Sequence, residues 1–192
     1  YKLTDKLNDI YGVDHSKYTL EQELKSLGYT SEDITDVILT HLHFDHAGGS
    51  TKTDENGKLG LSFPNATYHI QKKHWEWRQN PSERDKASFM PENYDLLPEK
   101  KQLNFFDGDS KFDSQIDLHV VKGHTPYMQL VSIKDDNSTL LFTADLFPTT
   151  THLSLPYIMG YDLFPLTTLD EKKRFLPKIA KENWILFFEH DA

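Results

Sequence analysis

The chain has no cysteine. Disulfides are therefore impossible, and every zinc site with a thiolate ligand is excluded. A transition metal must be held by imidazole and carboxylate groups, which the ten histidines and many acids can supply. No run of about 18 apolar residues occurs, so no segment reads as membrane-spanning. Basic residues are in the minority, 21 Lys and Arg against 30 Asp and Glu, for a formal net charge of -9. Nucleic-acid binding is driven by clustered Lys and Arg, so no nucleic-acid partner is expected. Lys72-Lys73, Lys100-Lys101 and Lys172-Lys173 are pairs interleaved with acids and read as solvated surface. No signal-peptide pattern opens the chain at Tyr1, and the expected compartment is the cytoplasm.

What is present fits one domain spanning residues 1–192, with 37% hydrophobic residues. Lys2 to Ile10 reads as an amphipathic helix, and Thr19 with Gln22 as a capping box for a second, stopped at Gly28. Val37 to Leu39 reads as a buried strand leading into His41, and Thr51 to Gly60 as a loop. Ala66 to Ile70 is a predicted strand and Gln71 to Gln79 a predicted helix, broken at Asn80-Pro81-Ser82-Glu83 before another begins. Phe89 to Asp109 reads as loop with short turns. Strands follow at Ile116 to Val121, Met128 to Ile133 and Leu140 to Thr143, the last two forming a hairpin. A helix from Asp170 to Asn183, kinked at Pro177, and a buried strand from Trp184 to Phe188 complete the chain.

The strongest chemical signal is His41-Leu42-His43-Phe44-Asp45-His46. Two histidines two apart near a strand end can point the same way, and Asp45 and His46 in the following turn can reach a second point. Gly48 and Gly49 would allow the backbone to approach closely. His124, Asp145 and His190 each follow an apolar strand, where α/β sheets gather ligands. Each alone is more simply a polar residue at a strand end; together the seven are enough for two metals sharing a carboxylate. His15, His69, His74 and His119 are read as non-ligands, with His69 and His119 facing the surface.

This pattern resembles the metallo-β-lactamase superfamily. The resemblance implies an αβ/βα sandwich with His41, His43 and His124 on one metal and Asp45, His46 and His190 on the other. Asp145 would bridge the two metals, zinc first, with manganese or iron suited to the same donors. His74-Trp75-Glu76-Trp77, Asn80 to Arg84, Ala144 to Pro148 and Pro156 to Asp162 resemble the quorum-quenching lactonase and organophosphorus hydrolase-like branch. Many relatives have Gly after the Thr-Pro that follows the third histidine; this chain has Tyr127. The family opens with a hairpin and further strands ahead of the motif, and continues past the last histidine. The chain is therefore expected to be incomplete at both ends and its first sheet to lack strands.

The implied function is hydrolysis of a lactone or ester by a metal-bridging hydroxide, with N-acyl homoserine lactones favoured. Organophosphate triesters or phosphodiesters are the alternative substrates, and a metal-binding scaffold without turnover is the rival class. Flavo-di-iron oxidoreductases place a carboxylate where His43 stands, and the tRNA-processing nucleases are disfavoured by the acidic charge. β-Lactamases with a cysteine ligand are excluded, and the remaining class lacks an aspartate like Asp145. Asp45 and Asp145 are the expected catalytic carboxylates, Asp45 taking the proton. Trp75, Trp77, Phe147, His152 and Tyr157 are candidate substrate contacts, and packing is an equal account of the aromatics. The expected partner is a small molecule rather than a membrane, and a homodimer is left open.

Overall fold

A computed structural model describes residues 2–12 and 18–191. His15 lies outside the described residues. In chain order the elements are helices α1 (Asp5–Tyr11) and α2 (Leu20–Ser26), strand β1 (Asp36–Ile38) and a single helical turn, α3 (Phe44–Ala47). Strands β2 (Thr51–Thr53), β3 (Leu59–Leu61) and β4 (Thr67–Gln71) come next, then α4 (Lys72–Trp77), α5 (Leu96–Glu99) and β5 (Leu103–Phe106). The remainder is β6 (Ser110–Lys111), β7 (Ile116–Val121), β8 (Met128–Lys134), β9 (Thr139–Phe142), α6 (Pro165–Glu182) and β10 (Ile185–Phe187). Short 3-10 turns fill several connections.

Contacts divide the chain into two compact units. The first comprises Tyr1–Ile38, His43–His69 and Met90–Asn104. Thr19 caps α2 by accepting from the Gln22 N–H at 3.2 Å, and Gly28 takes the left-handed φ of 85° that ends the helix. Strand β1 pairs in parallel with β4, in a three-stranded sheet of order β1-β4-β5. It is only partly buried, and full burial begins after its end, at Leu39. The segment expected to be a loop after Thr51 is instead the antiparallel hairpin β2-β3. The loop expected over Phe89 to Asp109 holds α5 and β5. Tyr68 anchors this unit's interior: fully buried, it donates to the Ser50 carbonyl at 3.1 Å and accepts the Phe63 N–H at 3.2 Å. His69, expected at the surface, is buried, with Asp36 and Asn104 on its two ring nitrogens.

The second unit comprises Leu39–Leu42, Ile70–Phe89 and Phe105–Ala192. Its five-stranded sheet runs β10-β9-β8-β7-β6, antiparallel except for the β10-β9 pair. Both faces of β8 are buried, so its sequence is nearly all apolar or small and shows no clean alternation. One face packs against α6, where Val121, Met128, Leu130, Leu141, Phe175 and Ile179 share a core with Trp184. That double coverage explains a second misreading: His119 is half-buried against Phe175 and Trp184 and bonds Ser132 at 2.9 Å. Helix α6 begins five residues earlier than expected, with Pro165 in its first turn. Its buried stripe is Thr168, Lys172, Phe175 and Ile179, a helical spacing that includes a lysine read as surface. Lys172 donates to the carbonyls of Ser154, Leu155 and Tyr157, which satisfies its buried ammonium. The last strand is an edge strand: Ile185 and Phe187 are half exposed.

Candidate metal centre

In the second unit three histidines converge on one carboxylate. His124 Nε2 lies 3.0 Å and His41 Nε2 3.6 Å from Asp145 Oδ2, while His190 Nε2 lies 3.2 Å from Asp145 Oδ1. The two oxygens of Asp145 thus serve different histidines. His41, His124 and Asp145 are buried, and His190 is partly exposed. Local structure puts them there. Thr143, at the end of β9, donates its backbone N–H and its hydroxyl to the Phe187 carbonyl at the end of β10. The chain beyond β9 then turns through Ala144, which holds a left-handed φ of 42°, uncommon for a residue other than glycine. The backbone N–H of His190 donates to the Pro148 carbonyl at 3.1 Å, so the two strand ends are tied together and bring Asp145 and His190 side by side.

The His41 and His124 rings each have a partner on the other nitrogen. Thr40 Oγ1 sits 3.1 Å from His41 Nδ1, and Asp162 Oδ1 sits 3.0 Å from His124 Nδ1. Asp162 is itself buried and accepts from the Thr168 hydroxyl at 2.6 Å. A carboxylate behind a ligating imidazole fixes its tautomer and orientation and raises its basicity. Burial opposes charge on His124, but the bonds to Asp145 and Asp162 outweigh it and raise its pKa to about 9. Asp162 is a partner of His124 that sequence alone does not reveal, since nothing in its spacing ties it to a histidine 38 positions away.

The glycine that packing requires is Gly123. A Cβ there would lie 2.1 Å from Thr168 Oγ1, 2.5 Å from Thr168 N and 2.6 Å from Thr168 Cα. Gly48 and Gly49, expected to permit close approach, would meet nothing nearer than 3.8 Å. Tyr127, where the resemblance leads one to expect glycine, holds φ 59°, so the turn keeps the shape glycine favours.

In the first unit His43 caps α3: its carbonyl accepts from the N–H groups of His46 and Ala47. Asp45 and His46 lie within that turn, their side chains 3.4 Å apart at Oδ2 and Nε2. His43 is buried and Asp45 exposed. A mostly apolar cavity of about 300 Å³ in this unit is lined in part by Phe44, Asp45, Leu3, Leu20 and Met90.

The candidate substrate residues differ in burial and in partners. Phe147 is fully buried in the core of the second unit, in keeping with the packing account of the aromatics. Trp75 is buried against Phe105 with the Arg78 guanidinium 3.7 Å from its ring. Trp77 donates to Asp85 at 3.0 Å. His152 Nδ1 lies 2.8 Å from the Thr149 hydroxyl, and Tyr157 is exposed.

The donor set suits a divalent metal. Ligand atoms on one tetrahedral zinc sit about 3.3 Å apart, as bond lengths near 2.0–2.1 Å require. The spacings of 3.0 to 3.6 Å around Asp145 bracket that value. Two buried imidazoles and a third, more exposed one around a single carboxylate form a histidine-carboxylate cluster that could hold a metal ion. The chain belongs to the metallo-β-lactamase superfamily, whose family model matches residues 12–190, and it has that fold. It is 31% identical over 172 residues to the N-acyl homoserine lactonase AiiA of Bacillus thuringiensis subsp. kurstaki, covering 88% of this chain and 60% of that protein. Among solved structures, a probable metal-dependent hydrolase from Staphylococcus aureus matches with TM-score 0.88 and 28% identity, covering 98% of this chain and 66% of that one. The dizinc quorum-quenching lactonase AidC, in complex with a product, matches at TM-score 0.76 and 26% identity, covering 94% and 65%. The chain thus spans about 60% of the length of the curated relatives it matches. Among the described residues no helix is long and apolar enough to cross a membrane.

Proposed function

We propose that the protein is a dinuclear metal-dependent hydrolase of lactones or related esters, with N-acyl homoserine lactones the favoured substrates. The observation that carries this reading is the division of labour at Asp145, whose Oδ2 faces His41 and His124 while Oδ1 faces His190. A carboxylate so placed suits a bridge between two ions. Family membership supports the full set: His41, His43 and His124 on one ion, Asp45, His46 and His190 on the other, Asp145 on both, all within one domain. Zinc is the first choice, and manganese or iron would suit the same donors.

When bound, such ions supply an activated water and a Lewis acid for the carbonyl oxygen. The chain's own residues hold and aim. Asp162 and Thr40 keep the Nδ1 sides of His124 and His41 engaged, so each ring presents Nε2 to the centre. Asp45, with a side chain 40% exposed, is the candidate proton acceptor, since Asp145 is enclosed. His152 and Tyr157 remain candidate substrate contacts. The test is turnover of lactones, aryl esters and phosphotriesters by zinc-loaded protein, with metal content measured alongside. Asp145→Ala should lose metal and at least about 100-fold in kcat/KM, and Asp45→Asn should keep its fold and lose most of kcat. A wild-type protein that binds one metal per chain with no lactonase activity would overturn the reading. Preferred turnover of phosphotriesters would move the substrate class and leave the metal centre standing.

A further inference from the structure

We propose that His74 is a positioning residue, a neutral imidazole that ties the His41 segment to the His124 turn and sets how both histidines approach Asp145. The proposal rests on the metal-centre reading above. His74 is fully buried on α4, and both ring nitrogens meet backbone. Nε2 lies 2.9 Å from the Leu42 amide nitrogen, and Nδ1 lies 2.7 Å from the Pro126 carbonyl oxygen. An amide N–H can only donate and a carbonyl can only accept. The ring must therefore be bare at Nε2 and protonated at Nδ1, one tautomer of the neutral form.

The two groups it joins are one residue after His41 and two residues after His124. Leu42 N belongs to the peptide that leaves His41, so its direction sets the backbone from which that imidazole projects. The Pro126 carbonyl belongs to the peptide entering Tyr127, whose φ of 59° is the strained feature of the turn. Rotation of that peptide is the motion that would relax Tyr127, and the bond from Nδ1 opposes it. For an L-residue other than glycine the left-handed region is disfavoured by an amount comparable to one buried hydrogen bond.

Gln129 grips the same segment from β8. Its backbone N–H donates to the Thr40 carbonyl at 2.9 Å and its side chain to the Leu39 carbonyl at 2.7 Å. Leu39, Thr40 and Leu42 are thus all held by the sheet and α4, with His41 between them. His74 alone of these groups also reaches the His124 turn. Its ring packs near Phe89 and edge-on to His41, at centroid distances of 5.8 and 6.2 Å, which leaves little room to tilt.

The experiment compares His74→Phe, which keeps a flat ring and loses both bonds, with His74→Gln, which can still accept and donate. Zinc affinity is read by chelator competition, and kcat and KM are read separately on the best substrate. His74→Phe should bind zinc about 10- to 100-fold more weakly and lower kcat with KM little changed. His74→Gln should recover part of both, which a general loss of packing would not produce. Histidine nitrogen NMR of the wild-type protein, with and without zinc, should show His74 protonated at Nδ1 and bare at Nε2 in both states. Wild-type zinc affinity in His74→Phe would overturn the proposal, as would the opposite tautomer or a zinc-bound His74. If His74→Phe does not fold, the NMR tautomer and His74→Gln decide. Failure of the lactonase reading appears instead as absent wild-type turnover, and the zinc and NMR readings do not depend on turnover.

Discussion

Removing Asp162 tests whether the centre is held by more than its ligands. The carboxylate makes two bonds in the interior, to His124 Nδ1 at 3.0 Å and from the Thr168 hydroxyl at 2.6 Å. Asp162→Ala deletes both, and Thr168 keeps only a long contact of 3.5 Å to the Phe164 carbonyl. A hydrogen bond to a charged group contributes roughly 1.5–3 kcal/mol. Loss of an outer partner of a ligating histidine lowers metal affinity by about 10- to 100-fold, or about 1.4–2.7 kcal/mol. The two estimates agree, so zinc affinity should fall within that range. Proton competition complicates the measurement and tells where to make it. In metal-free protein the two carboxylates raise His124 to about 9, so below that pH zinc must displace a proton. Removing Asp162 lowers that pKa and eases the competition, which masks part of the loss at neutral pH. The full loss should emerge by chelator competition above pH 9, where His124 is already neutral. Asp162→Asn retains an acceptor oxygen and should fall between wild type and Asp162→Ala. Asp162→Ala within about twofold of wild type at that pH would refute the reasoning, since a lost orienting bond cannot be that small.

Gly123→Ala should destabilise the protein by about 1–3 kcal/mol or more, because its Cβ would meet backbone atoms of Thr168 that no rotamer change can move. Thermal melting checks this, at roughly 2–4 °C per kcal/mol for a chain of this size, and an unchanged Tm would show that the turn yields freely. A separate expectation concerns acid. Burial holds His74 at about 4 against an ordinary 6.5, so the unfolded chain takes up a proton that the folded one refuses. That contribution is fully present above pH 6.5 and lost as pH falls toward 4, on the order of 3 kcal/mol in all. Urea unfolding of metal-free protein across this window should show a smaller fall for His74→Phe than for wild type, and parallel curves would contradict it.

A candidate ligand set could be named from the sequence because metal chemistry restricts residue type. His41, His43, Asp45 and His46 crowd six positions, and His124, Asp145 and His190 follow apolar strands whose ends a sheet brings to one side. The central strands β7, β8 and β9 were legible for a similar reason: hydrophobic runs and a polar hairpin loop are local signals. What failed depended on what covers each face. His69 and His119 carry polar side chains on strands that neighbours cover on both faces, and Lys172 falls in the one buried stripe of α6; the pattern of one chain says nothing of those neighbours. Phe147, for which packing and ligand contact were equal accounts, lies in the core. Asp162, His74 and Gly123 act through one or two contacts with segments distant in sequence: a carboxylate behind His124, a ring between Leu42 and Pro126, a missing Cβ against Thr168. Residue identity and spacing determined which atoms can bind a metal. Only the folded backbone decided which of the others hold them in place, because a hydrogen bond or a steric limit exists only once both partners are a few ångströms apart.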